Sequence, residues 1–258
     1  MTDLALKSAI LRSPHGFSTR RGGVSEGIFE SLNLGRIDTL GDDPARVEEN
    51  WRRFGAAVGI HTDRFVHGRQ VHGRTVRIAS LEDAHGIREN SMIEADGYVT
   101  NLPGLPLAVF TADCAPLLME DTDAGVVAAI HCGWRPTAAD IMAEAVRAMV
   151  SLGARPENIR AAIGPCIRRC CFQTGPEVPA ALGALLGGAD GLYEDDPAAS
   201  GKYRVDLPGA VARRLMQLGV PAAQIDDLGV CTMCEPEMFW SHRALGLRRG
   251  SQANIIML

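Results

Sequence analysis

The sequence predicts an α/β fold built on mixed rather than purely parallel sheets. Two continuous apolar, β-rich runs, residues 105–111 and 125–131, have the pattern of strands covered on both faces. Segments with helical spacing follow such runs in alternation, and helix-poor stretches between them argue for a sheet of mixed direction. At 258 residues with 46% hydrophobic content, the chain can bury a large core. No linker-like segment interrupts it, so residues 1–258 read as one domain.

Residues 9–11 and 15–18 read as short strands ending in a basic, glycine-rich turn, Thr19-Arg20-Arg21-Gly22-Gly23. Residues 42–60 read as a helix. Asp42, Asp43 and Pro44 supply start signals, and Val47, Trp51, Phe54 and Val58 keep helical spacing. Residues 65–67 and 75–78 read as strands flanking Gln70-Val71-His72-Gly73. After the two apolar runs, residues 137–152 read as a helix with Ile141, Ala145, Ala148 and Met149 on its apolar face. Residues 160–164 read as a buried strand, 177–186 as a helix, 187–201 as a surface loop and 205–218 as a further helix started by Val205-Asp206-Leu207-Pro208. Residues 225–231 and 254–258 close the chain as strands.

The formal net charge of −5 and pI near 5.8 lack the basic stripe of a general nucleic-acid binder, yet leave room for a local basic pocket. The first ten residues include Asp3 and Lys7 and no long apolar core of a signal peptide, and no stretch approaches the ~20 apolar residues of a membrane span. A cytoplasmic protein with reduced thiols is expected, since seven cysteines clustered late in the chain do not suit a secreted disulfide framework.

Chemistry concentrates at three places where strand-like segments meet loops: His72, Cys114 in Asp113-Cys114-Ala115, and His131 in His131-Cys132-Gly133-Trp134-Arg135. Two imidazoles and a thiolate are suitable zinc ligands, and catalytic zinc commonly takes three protein ligands and keeps one position open. The same residues could instead make Cys114 a nucleophile with His131 as base. Such a pair needs only one imidazole, so the ligand count favours metal. Asp113, read as part of an extended strand, points to the opposite face from Cys114. Arg20 and Arg21, with hydroxyls and glycine amides in one turn, offer an anion pocket; Asn33 and Arg135 are further polar candidates. Cys231-Thr232-Met233-Cys234 has the CxxC spacing of zinc knuckles, but Cys170 and Cys171 are adjacent and poorly spaced for chelation. Together with Cys166, these cysteines read as packing thiols.

Read in order, the motifs Gly16-Phe17-Ser18-Thr19-Arg20-Arg21-Gly22-Gly23, Ser31-Leu32-Asn33-Leu34-Gly35, Gln70-Val71-His72-Gly73, Thr111-Ala112-Asp113-Cys114-Ala115-Pro116 and His131-Cys132-Gly133-Trp134-Arg135 resemble the YfiH/laccase-domain family. So do Ile163-Gly164-Pro165-Cys166-Ile167 and Cys231-Thr232-Met233-Cys234 followed by Phe239-Trp240-Ser241-His242-Arg243. The resemblance implies an α/β/β/α sandwich with mixed sheets, similar to the cytotoxic necrotizing factor toxins. It implies zinc held by His72, Cys114 and His131, which become catalytic. It also implies purine nucleoside chemistry: phosphorolysis of adenosine, inosine, guanosine and methylthioadenosine, and adenosine deamination. Nucleosides and phosphate would be the partners, with Arg20, Arg21, Asn33 and Arg135 binding them. Copper-dependent polyphenol oxidation is an older reading of the family, and a Cys-His hydrolase or amidase is the other alternative. The chain departs from the family pattern at Cys132, Pro136, Phe172 and His242. Pro136 removes an amide donor from the signature turn.

Overall fold

The computed structural model describes residues 4–35, 41–89 and 91–258. Two six-stranded mixed sheets stack face to face. The first runs in the order β1 (Ala5–Leu6), β2 (His15–Ser18), β15 (Gln252–Ile256), β7 (Leu107–Thr111), β3 (Phe65–Val66), β5 (Ala84–His85). The second runs β14 (Ile225–Asp227), β10 (Arg160–Ile163), β8 (Ala115–Asp121), β9 (Val126–Cys132), β6 (Gly97–Thr100), β4 (Val76–Ile78). A small third sheet pairs β11 (Gln173–Thr174), β13 (Tyr203–Val205) and β12 (Tyr193–Asp195).

The period-two geometry of strands sorts side chains into three core layers. In β9, Val126, Ala128 and Ile130 face helices, whereas Val127 and Ala129 face the first sheet. In β7, Leu107 and Val109 meet the second sheet while Ala108 turns outward. That outer face is covered by α1 (Pro44–Val58) through Trp51, Phe54 and Val58. Asp43 caps the helix by accepting from the Ala45 amide at 2.9 Å, Pro44 occupies its first position, and Gly59 (φ 80) ends it. On the other side α2 (Trp134–Ala138), α3 (Ile141–Ser151), α4 (Glu177–Leu186) and α5 (Leu207–Gln217) cover the second sheet. A short α6 (His242–Leu245) precedes β15. The layers are therefore helix, sheet, sheet, helices. The long apolar runs are its double-faced strands, and no described helix is long and apolar enough to cross a membrane.

Four expectations differ from the structure. Residues 9–11 form no strand; β1 lies earlier, at Ala5–Leu6. The helix read over 137–152 is two helices, because Asp140 adopts φ 66 between them and its carboxylate takes both Arg214 Nε and Nη2, at 2.9 and 2.7 Å. The loop read over 187–201 contains the exposed strand β12, whose polar side chains hide its pairing with β13. The strand read over 225–231 stops at Asp227, before Gly229 takes φ 74.

The two sheets touch closely where Gly164 leaves β10. A Cβ there would lie 2.2 Å from Phe17 Cδ1, a fully buried ring of the first sheet. Gly164→Ala is expected to cost about 1–3 kcal/mol through overpacking, read as a lower denaturation midpoint at unchanged slope.

Candidate metal centre

Three adjacent strands of the second sheet bring their chemistry to one end. In the β8–β9 pair, Ala115 lies opposite Cys132 and Pro116 opposite His131, so Cys114 at the mouth of β8 neighbours His131. On the other side of β9, Gly97 opens β6 opposite Ile130. Asp96, one residue earlier, therefore flanks His131 and accepts its backbone amide at 2.7 Å. His72 arrives on the connection that leaves β3 in the first sheet and enters β4 in the second.

Asp96 assembles the site. Its carboxylate accepts the amides of Val71, His72 and Gly73 at 3.1, 3.0 and 2.9 Å, curling the His72 turn (φ 57) around one buried anion. It also accepts His131 Nδ1 at 2.8 Å. That bond sets the tautomer and leaves Nε2 as the ligand atom, the carboxylate–histidine arrangement typical of metal-binding imidazoles. Burial would raise the Asp96 pKa, but His131 and the amides of Gly73 and Val71 hold it below the ordinary carboxylate range.

His72 Nε2 lies 3.9 Å from Cys114 Sγ, the two imidazoles meet edge to face at 4.9 Å, and the three donor atoms lie within 4.8 Å of one another. Donors around a tetrahedral zinc sit roughly 3.5 Å apart, given Zn–S near 2.3 Å and Zn–N near 2.0 Å. The trio fits such an ion with a fourth position open. Burial works against ionising Cys114, yet His131 and then His72 outweigh it and hold the thiol at about 6. Burial likewise works against His131, but Cys114 and Asp96 raise it to about 9. Gly133 allows the close approach, since a Cβ would stand 3.0 Å from Cys114 Sγ and 3.3 Å from His72 Cδ2.

Asp113 departs from its expected extended geometry. At φ 86 it turns the corner between β7 and β8 and sends its carboxylate into the interior. There it accepts Thr232 Oγ1 at 2.7 Å, Ser241 Oγ at 3.1 Å and the Arg243 amide at 2.6 Å. The segment 231–243 thereby straps down the residue next to Cys114.

The other polar candidates are placed differently. Arg20 gives Nε and Nη2 to the Glu30 carbonyl at 3.2 and 2.8 Å and Nη1 to the Pro236 carbonyl at 2.8 Å, with its guanidinium 3.9 Å over Trp240. Arg21 gives Nε to the Glu237 carbonyl at 2.9 Å. These contacts tie their turn to the 231–243 strap. Asn33 is fully buried, donating to Asp42 and accepting from the Gly35 and Ser251 amides. It is committed to packing and not presented to a sugar or base. Arg135 is exposed beyond His131, with its guanidinium 4.4 Å from the Trp134 ring centroid. Sequence reasoning missed Asp96, whose signal is an acid wedged between Ala95 and Gly97 at a strand start. It also missed Arg249, which feels the charges of Asp113 and Cys114 and whose buried Nε has no hydrogen-bond partner among the described residues.

Of the family departures, Cys132 is buried and its thiol is pushed well up by burial and by Cys114. Pro136 sits in the first turn of α2, where an amide has no helical partner to lose. Phe172 packs in the core with Arg243 over its ring, and His242 is exposed at the start of α6.

A two-sheet sandwich that gathers two histidines and a cysteine around a carboxylate anchor at one end of its central strands defines a class of α/β proteins with a three-donor centre. A family model described as multi-copper polyphenol oxidoreductase laccase matches residues 14–258. A purine nucleoside phosphorylase of Deinococcus radiodurans is 41% identical over 239 residues, 92% of this chain and 86% of that one. Adenosine deaminase RL5, from an unknown prokaryotic organism, is 35% identical over 240 residues, 91% of this chain and 90% of that one. The crystal structure of the Bacillus licheniformis hypothetical protein YfiH superposes with a TM-score of 0.87 at 30% identity, covering 95% of this chain and 92% of that one. The chain belongs to the YfiH/laccase-domain family.

Asp96→Asn keeps the shape but leaves fewer acceptors for three amides and an imidazole. Metal affinity at the trio is expected to fall roughly 10–100-fold, measured by chelator competition on protein whose circular dichroism matches wild type. Unchanged affinity would show that Asp96 does not orient the ligands.

Proposed function

We propose that the chain is a zinc-dependent purine nucleoside enzyme of the cytoplasm. It would phosphorolyse adenosine, inosine, guanosine and methylthioadenosine, and deaminate adenosine. The observation that carries this is the convergence of His72, Cys114 and His131 on one open position. The names of the nucleoside phosphorylase and deaminase relatives supply the substrate class.

When bound, zinc supplies Lewis acidity at that position. The chain's own groups do the rest. Asp96 keeps the His131 proton on Nδ1, so that the imidazole neither rotates nor changes tautomer. His72 is the exposed member of the trio and His131 the buried one, so a nucleoside approaches from the His72 side. Phosphorolysis needs cations to hold phosphate. Arg135, exposed beyond the trio, and Arg249, close enough to feel the charges of Asp113 and Cys114, are the guanidinium groups assigned to it. Arg20 and Arg21 contribute indirectly, by holding the strap that positions Asp113.

Copper-dependent polyphenol oxidation draws less support. Multicopper centres need a histidine-rich donor set. Among the described residues, the groups able to hold a metal are one His-Cys-His set and one of cysteines alone.

Zinc-loaded protein incubated with inosine is expected to release hypoxanthine only when phosphate is present, and adenosine should also yield inosine. Cys114→Ala and His131→Ala should each lower both rates at least ~100-fold, on the scale of losing a metal's charge stabilisation. Equal turnover in Cys114→Ala would overturn the assignment. Turnover that survives chelation but stops on thiol alkylation would replace it with a Cys-His hydrolase.

A further inference from the structure

The late cysteines, read from sequence as packing thiols, converge. The sulfurs of Cys170, Cys171, Cys231 and Cys234 all lie within 4.8 Å of one another, with Cys234 Sγ 3.5 Å from Cys170 Sγ and 3.4 Å from Cys171 Sγ. Four thiolates around a tetrahedral zinc stand about 3.8 Å apart, which follows from Zn–S near 2.3 Å. The adjacency of Cys170 and Cys171 does not prevent chelation because the chain bends around them. The Cys171 and Phe172 amides both reach back to the Arg168 carbonyl at 2.8 Å, and the Gln173 amide donates to the Cys171 carbonyl at 3.0 Å. Both thiols thus turn toward the Cys231–Cys234 knuckle.

The two loops are also fixed independently of the sulfurs. Arg168 forms a two-pronged pair with Asp227 at 2.7 Å for each bond, and the backbone of Cys166 pairs beside that of Cys231, its amide donating to the Val230 carbonyl and its carbonyl accepting the Thr232 amide. Cys170 and Cys234 are exposed and Cys231 is buried, so an ion could enter from solvent and close the cluster behind it.

We propose that Cys170, Cys171, Cys231 and Cys234 bind a second zinc ion as a closed tetrathiolate clasp. A closed four-sulfur site has no open position and is structural. It joins the loop after β10 to the start of the strap, Thr232–Arg243, that holds Asp113 beside Cys114. This zinc is separate from the one at the His-Cys-His centre, and its presence does not rest on the nucleoside reading.

The test uses the full chain, purified under reducing conditions and assayed for zinc by elemental analysis. Wild type should carry about two zinc ions per chain, His72→Ala/Cys114→Ala about one, and Cys231→Ser/Cys234→Ser about one. To separate loss of metal from loss of fold in the serine variant, the His72→Ala/Cys114→Ala protein is also reconstituted with cobalt(II). An intense sulfur-to-cobalt charge-transfer band with tetrahedral d–d bands is expected. A His72→Ala/Cys114→Ala protein without zinc and without that band would overturn the clasp. So would thiol titration after unfolding that finds fewer free thiols than cysteines, which would assign these sulfurs to a disulfide. Wild-type protein that carries both zinc ions yet turns over no nucleoside would count against the active-centre reading alone.

Discussion

One buried carboxylate holds the three candidate donors together. Asp96 takes three consecutive amides and one imidazole, and those four bonds join a loop from between the sheets to the central strand pair. A carboxylate this deep is tolerated only because every nearby donor points at it. The arrangement is also directional. The amides hold His72 in a left-handed turn facing Cys114, while the imidazole bond turns His131 so that its second nitrogen faces the same point. Thiol, imidazole and imidazole meet because they share a neighbour that is not itself among the donors.

A second carboxylate does comparable work on the other side of Cys114. Asp113 leaves the strand direction entirely and anchors the segment that carries Thr232, Ser241 and Arg243. Arg20 and Arg21 secure the same segment from the opposite side through carbonyl contacts. The centre is thus held between two acid-anchored loops that start far apart in the chain. Its geometry belongs to the sandwich as a whole, and the sulfur cluster lies at the root of one of those loops.

Much of the fold was legible in the residues. The runs over 105–111 and 125–131 announced double-faced strands because alternate residues had to be apolar on both sides. The helix after Asp43-Pro44 was legible because cap, proline and apolar spacing agreed. Legibility failed where local signals were outvoted. Asp140 breaks a helix whose apolar face continues across it, and Tyr193–Asp195 pairs as a strand despite a fully exposed, acidic sequence. Asn33, Arg20 and Arg21 looked like ligand groups because polar residues in glycine-rich turns often are. Their partners, Asp42, Glu30 and the 236–237 carbonyls, could not be inferred from spacing.

By itself the sequence determined the α/β class, pointed to His72, Cys114 and His131 as candidate donors, and through its ordered motifs gave the family. These are properties of period, residue type and order along the chain. Only the tertiary structure decided that Asp96 anchors the trio, that Asp113 faces inward, and that four cysteines read as separate packing thiols stand within bonding range of one ion. Each depends on where distant backbone segments cross, and that crossing is set by the stacking of two sheets, which no local spacing encodes.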